Sequence, residues 1–302
     1  MPDTTTESEH DTGRGLDALS DAQALERLFN GQAQALDAVS QAFPDIAKGA
    51  ALMSGAMRGT GRLIYAGAGS SALMASADGM ELAGTFGIDP NRVLICMAGG
   101  LPQNAAMPGG SEDDARQAEV DASRVAADDL VIAVTASGST PYAVLFAQTA
   151  RSNGAKTICI ANNPSAPIFD HADVAICLPT PPEVVAGSTR MGAGTAQKAA
   201  LNMMSTLMGI RLGHVHDGMM VNLRADNKKL RNRAANMAAR ISGVSEDKAR
   251  VALESSEWRV KQAVLRLAGA GNPEELLCRH KDRLRPALNE IETHKQISME
   301  KT

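Results

Sequence analysis

Leu63-Ile64-Tyr65-Ala66-Gly67-Ala68-Gly69-Ser70-Ser71-Ala72 is the stretch whose reading decides the fold. Four apolar residues run into a glycine-rich turn, and small and hydroxylated residues then open a helix. Continuous apolar runs return at Val93-Leu94-Ile95-Cys96-Met97, Leu130-Val131-Ile132-Ala133-Val134, Thr157-Ile158-Cys159-Ile160 and Val174-Ala175-Ile176-Cys177-Leu178. Strands that are apolar on both faces, with helical stretches between them, predict a parallel five-stranded sheet covered on both sides, a doubly wound α/β fold. Ligands bind such sheets beyond the carboxyl ends of the strands, where the strand order reverses.

Working outward, residues 1–17 are polar and read as a disordered tail with a joint at Gly13-Arg14-Gly15. Ser20 is placed to cap a helix carrying Ala24, Leu25, Leu28 and Phe29 at helical spacing, and a second helix follows Pro44. Together with the sheet these N-terminal helices make a domain over 18–225. A composition change near Asn222 introduces a small helical module over 226–270, with a core expected from Val251, Leu253, Trp258, Val264 and Leu267. A charged helix and tail, expected to be solvated, occupies 271–302.

The chain has 302 residues, 44% of them hydrophobic, and a formal net charge of −4. That balance excludes nucleic acid held by a basic field, and one Trp, two Tyr and five Phe leave few stacking platforms. No apolar run approaches the roughly 20 residues of a membrane helix. The polar start Met1-Pro2-Asp3-Thr4 lacks the blocks of a secretory signal. Cys96, Cys159 and Cys177 sit in apolar runs, and no Cys-x-x-Cys pair occurs. A cytoplasmic protein without disulfides is expected.

Two loops end strands and start helices with hydroxyls: Gly69, Ser70 and Ser71 in the first, and Ser137-Gly138-Ser139-Thr140 in the second. Backbone N–H groups and hydroxyls at a helix start surround a phosphate well, so a phosphosugar is the expected ligand class. The first loop also matches Gly-x-Gly-x-x-Ala, but the next strand runs into Ala98-Gly99-Gly100-Leu101 and offers no ribose-binding carboxylate, which argues against a dinucleotide. A third glycine-rich stretch, 187–198, enters a helix with Ser188, Arg190 and Lys198 and reads as a further anion site. Two carboxylates stand near these loops. Glu81 lies near a helix end, where its charge opposes the dipole and no capping role explains it; Glu112, in Ser111-Glu112-Asp113-Asp114, also fits an ordinary helix start. His214 and His216 read as a loop pair without a metal set.

Taken together, Leu63–Gly69, Pro164, Ser188-Thr189-Arg190-Met191, Ala193-Gly194-Thr195-Ala196-Gln197-Lys198 and Leu201-Asn202-Met203 resemble the N-acetylmuramic acid 6-phosphate etherase family, within the sugar isomerase (SIS) domain superfamily. The resemblance implies an SIS-type sheet, a homodimer, no metal or organic cofactor, and a lyase that releases D-lactate from N-acetylmuramic acid 6-phosphate. It places the catalytic pair at Glu81, as the acid, and Glu112, as the base. The phosphosugar falls to Gly69, Ser70, Ser71, Ser137, Ser139, Thr140, Ser188, Arg190 and Lys198. An acid working near neutral pH would need partial burial to keep its proton. Where the family has Thr-Ser-Gly-Arg, Ser-Gly-Arg-Thr and Arg-Met-Lys, this chain has Ser70-Ser71-Ala72-Leu73, Ser137-Gly138-Ser139-Thr140 and Arg190-Met191-Gly192, which removes three cations. Met107-Pro108-Gly109-Gly110, before Glu112, is altered too. A paralogue acting on another sugar-acid ether, or a binding protein without turnover, is the alternative expectation.

Overall fold

The computed structural model describes residues 5–107 and 110–299, with the side chains of 298 and 299 left aside. Pro108 and Gly109, part of the altered segment before Glu112, lie outside the described residues, as do residues 1–4 of the expected tail. No helix among the described residues is long and apolar enough to cross a membrane.

The five apolar runs form the sheet. Its strands are β1 (Leu63–Gly67), β2 (Val93–Met97), β3 (Leu130–Val134), β4 (Lys156–Ala161) and β5 (Val174–Cys177), all parallel and in the order β2-β1-β3-β4-β5. Every residue of β1 and β3 is buried, as continuous apolar runs require when helices cover both faces. The order reverses between β1 and β3, and the two hydroxyl-rich loops follow those two strands. The switch-point crevice expected from sequence is therefore flanked by both cradles.

The chain divides into two compact units. One comprises residues up to Met80 together with Asn91–Leu207, the other Glu81–Pro90 together with Met208 onward. The composition change near 222 marks a division at 225 in the sequence, whereas by contacts residues 208–225 and 81–90 group with the C-terminal helices. In the first unit, α1 (Asp21–Ala38) and α2 (Phe43–Arg58) precede the sheet, α4 (Ala115–Ala122) and α5 (Pro141–Ser152) cover one of its faces, and α3 (Gly69–Phe86) and α6 (Gly192–Leu212) begin there. At the start of α1, Gln23 Oε1 accepts from the Ser20 backbone N–H at 3.2 Å, the return bond of the expected cap. Leu25 and Phe29, which recur at helical spacing in the sequence, are 66% and 72% exposed. The helix instead buries its small face, Ala35 and Ala38, where close approach is possible.

The expected tail is seated from Thr5 onward. Thr6 is buried and its hydroxyl accepts from Asn163 Nδ2 at 3.2 Å, while Arg27 Nη1 donates to the carbonyls of Thr12 and Arg14 at 2.9 and 3.3 Å. Composition marks the segment as polar, but these three side-chain bonds hold it.

Within the first unit α3 is pinned by a buried carboxylate. Asp78, 1% exposed, accepts from Tyr65 Oη of β1 at 2.8 Å and from Asn202 Nδ2 and Ser205 Oγ of α6 at 2.8 and 2.9 Å. Burial pushes its pKa up, opposed by these three donors and by the charge of Lys198. The same burial, with Asp78 beside it, pushes Tyr65 well above its ordinary value.

In the second unit, α7 (Lys228–Ser242), α8 (Glu246–Glu254), α9 (Val260–Ala268), α10 (Pro273–Arg279) and α11 (Leu284–Met299) share one core with Val221 and Leu223. Leu253, Val264 and Leu265 are fully buried, whereas Val251, expected inside, is 67% exposed. The last thirty residues are not merely solvated: Leu276, Leu277, Leu284 and Ala287 enter this core. Lys261 of α9, also buried, forms an ion pair with Asp282 and donates to the carbonyls of Asp282 and Gly213 at 3.3 and 3.5 Å, so one ammonium joins the end of α6 to the turn before α11. The loop histidines end apart. His214 lies 3.7 Å from Asp282, and His216 lies 3.5 Å from Asp217.

Two outcomes follow for stability. Burial pushes His214 down to about 4, with Lys261 acting in the same direction and the Phe86 backbone opposing. A folded value below the ordinary 6.5 means that the unfolded chain binds the proton first, so stability is lost as pH falls from about 6.5 to about 4. The loss reaches about 3 kcal/mol. Urea unfolding of His214→Gln should show a correspondingly flatter acid limb than the parent. Asp78→Ala leaves the buried Tyr65 hydroxyl and the Asn202 amide without this acceptor and should lower the unfolding free energy by about 2 kcal/mol or more at unchanged m-value.

Candidate active site

The first cradle begins α3. Gly69 has φ +54°, a left-handed conformation that favours glycine, and the Ala72 N–H bonds the Ala68 carbonyl at 3.1 Å as the first turn closes. A Cβ on Gly69 would stand 2.8 Å from Glu112 Oε1. The Glu112 carboxylate thus lies directly over the turn, and the left-handed φ there is what favours glycine. Ser70 is half-buried beside it and Ser71 is buried.

Glu112 is free for this position because another residue caps the helix. Ser111–Asp113 form a short 3-10 turn, and Asp114 Oδ1 accepts from the Gln117 N–H at 2.9 Å at the start of α4. The capping expected of the acidic run falls to Asp114, and Glu112 is exposed.

The second cradle is a hydroxyl cluster at the end of β3. Thr135 Oγ1 lies 2.8 Å from Thr140 Oγ1, and Ser137 Oγ accepts from both the N–H and the hydroxyl of Ser139 at 3.2 Å. Its carbonyls are held from the side of β4. Ala136 O accepts from the Asn162 N–H at 3.0 Å and from Asn163 Nδ2 at 3.1 Å, Ser137 O from Asn163 Nδ2 at 3.1 Å, and Gly138 O from the Ile168 N–H at 3.0 Å. With three successive acceptors engaged elsewhere, the loop's negative dipole ends are occupied. The hydroxyls gather at the start of α5, where Pro141 takes the first turn and the Thr140 side chain makes no capping bond. Such a loop suits an oxyanion.

The third stretch differs from its expectation. Glu183, 6% exposed, accepts from the backbone N–H groups of Gly192 and Ala193 at 2.9 and 2.8 Å. The start of α6 is therefore occupied by the protein's own carboxylate, which satisfies two of the helix's free donors and its dipole. Arg190 is exposed and Ser188 half-buried in the turn before it, and the Lys198 charge acts on Asp78. Glu183, Asn163 and Asp114 were missed in the sequence. Only Asp114, three residues before a bonded N–H, carried a local signal; the partners of the other two lie nine to ten and 26 to 27 residues away.

Glu81 is exposed, on the helix three residues after the pinned Asp78. The partial burial expected of a catalytic acid is found at neither Glu81 nor Glu112 in the single chain.

Known proteins resemble this chain along most of its length. The SIS domain model matches residues 112–207, which include the second cradle and the start of α6. An N-acetylmuramic acid 6-phosphate etherase of Symbiobacterium thermophilum is 42% identical over 245 residues, covering 80% of this chain and 82% of its own. Those of Deinococcus radiodurans and Geobacillus thermodenitrificans are each 38% identical, over 264 and 288 residues; they cover 87% and 94% of this chain and 87% and 98% of their own. Among solved structures, a phosphoheptose isomerase from Francisella tularensis is similar at TM-score 0.48 and 15% identity, over 64% of this chain and 100% of its own. This last likeness is too remote to bear on function. The etherases' identity of 38% to 42% along most of its length places the chain in the N-acetylmuramic acid 6-phosphate etherase family.

Proposed function

We propose that the chain is a carbon–oxygen lyase that cleaves the D-lactyl ether of N-acetylmuramic acid 6-phosphate, giving N-acetylglucosamine 6-phosphate and D-lactate. The relatives supply the substrate. The observation that carries the chemistry is the Glu112 carboxylate lying over the Gly69 turn, at the carboxyl end of β1 beside the switch in strand order.

In this reading the 6-phosphate takes the hydroxyl cradle of Ser137, Ser139 and Thr140 and the start of α5, while Ser70 and Ser71 meet the sugar. Ser188, Arg190 and Lys198 add polarity and charge. Ring opening gives the aldehyde, which acidifies the C2 proton. Glu112 removes that proton, the C3–oxygen bond breaks, and Glu81 protonates the departing lactate oxygen. Water then adds across the C2–C3 double bond: Glu81 takes a proton from it as its hydroxyl goes to C3, and Glu112 gives its proton to C2. The balance is substrate plus water to the two products, with each carboxylate returned to its starting state.

Both carboxylates are exposed, so the desolvation that the acid requires must come from outside the single chain. A second copy would supply it. Leu25, Phe29 and Leu36 form an exposed stripe along α1, and Phe43 at the start of α2 is 54% exposed. Exposed apolar residues in series mark an interface rather than a solvent face, and we assign this one to a homodimer. The reaction belongs in the cytoplasm, a reducing compartment that suits four free cysteines.

Incubation with N-acetylmuramic acid 6-phosphate should release D-lactate, and Glu81→Gln or Glu112→Gln should each lower kcat by about 100-fold or more. Absence of release by the parent protein, with thermal stabilisation by another sugar phosphate, would overturn the substrate. Phe29→Asp, which places a charge in the apolar stripe, should shift the dimer to monomer in analytical ultracentrifugation. A parent protein that sediments as a monomer rejects the dimer.

A further inference from the structure

We infer that the C-terminal helical unit takes part in the chemistry through Asn222, a positioning residue that fixes the end of the helical segment carrying Glu81. This rests on the proposed role of Glu81.

The segment Glu81–Pro90 belongs to the same compact unit as the helices from Met208 onward. It contains the last turns of α3, which end in a left-handed glycine turn. Gly87 has φ +65°, its N–H bonds the Ala83 carbonyl at 3.1 Å, and the Ile88 N–H bonds the Leu82 carbonyl at 3.4 Å. The last carbonyl of the helix, that of Phe86, has no partner within the helix and accepts from Asn222 Nδ2 at 2.9 Å, while the His214 ring also bonds the Phe86 backbone. A Cβ on Gly87 would meet the Asn222 carbonyl oxygen at 2.4 Å, so the backbones touch where the amide bonds. The Phe86 ring, itself buried, lies over Gly209, where a Cβ would stand 2.7 Å from the ring.

Asn222 is rigidly mounted. Its neighbours Val221 and Leu223 are both buried in the core shared by α7 to α11, and its amide reaches the helix end. The helix end is thus gripped by a side chain whose backbone is held on both sides. Glu81 lies three residues after the pinned Asp78 and five before Phe86, less than two turns along the same helix, so the Asn222 grip fixes the C-terminal side of its placement. An exposed carboxylate on a helix end left to fray would lose the fixed geometry that proton transfer needs.

The test is a set of variants that leave Glu81 and the cradles untouched. Asn222→Asp keeps the shape and replaces the donor by an acceptor facing a carbonyl; Asn222→Ala removes the donor without adding charge. Each should lower kcat about tenfold with KM for the phosphosugar within about twofold, since sub-ångström displacement of a reacting group acts on kcat. Gly87→Ala strikes the joint from the other side, and Asn222→Ala with Gly87→Ala should lose no more than the worse single variant. Amide hydrogen exchange at Gly87 and Ile88 should accelerate in the Asn222 variants while β1 and β3 stay protected. Unchanged kcat, or a loss of kcat matched by exchange throughout the sheet, overturns the inference, since the bond would then serve stability alone. If the parent releases no D-lactate, the etherase reading falls separately. Exchange then decides the joint: faster exchange confined to the end of α3 upholds it, and unchanged exchange rejects it.

Discussion

The reversal of strand order between β1 and β3 is the constraint on which the site depends. Connections from these two strands leave in opposite directions, so the chain beyond their carboxyl ends cannot close over the gap. Two helix starts flank that gap, and each brings N–H groups and hydroxyls without needing a cation. The absence of basic residues from these two loops therefore leaves the helix starts and hydroxyls to hold an anion.

The rest of the first unit holds this arrangement in register. Asp78 ties α3 to β1 and α6, Asn162 and Asn163 take up the carbonyls behind the second cradle, and Glu183 fills the start of α6. Each is a buried polar group whose partners are satisfied by other elements. Removing any of them would cost more than one hydrogen bond, because the partners would remain in low dielectric. Of three glycine-rich helix starts that look alike in the sequence, one is already occupied internally.

The two carboxylates fall on different compact units, Glu112 on the sheet unit and Glu81 on the unit of C-terminal helices. A helical module that reads in the sequence as an appendage thus carries part of the proposed machinery. Its core anchors residues 221 and 223, and the residue between them reaches the end of α3. On α1, helical spacing correctly located a helix, but the apolar residues Leu25, Phe29 and Leu36 on it are exposed in the single chain.

By itself the sequence determined the strands, their parallel pairing, both hydroxyl cradles and Glu81 as a carboxylate without a capping role. These rest on short-range chemistry, apolar continuity and the donors of a helix start, which are legible over ten residues. Only the tertiary structure decided that Glu112 sits over Gly69, that Asp114 does the capping, that Glu183 occupies α6, and that Asn222 holds the helix of Glu81. Apart from the local cap at Asp114, those pairings join residues that are between nine and 136 positions apart, and no local propensity encodes them. They are set by which buried donors and acceptors must find one another once the sheet has formed.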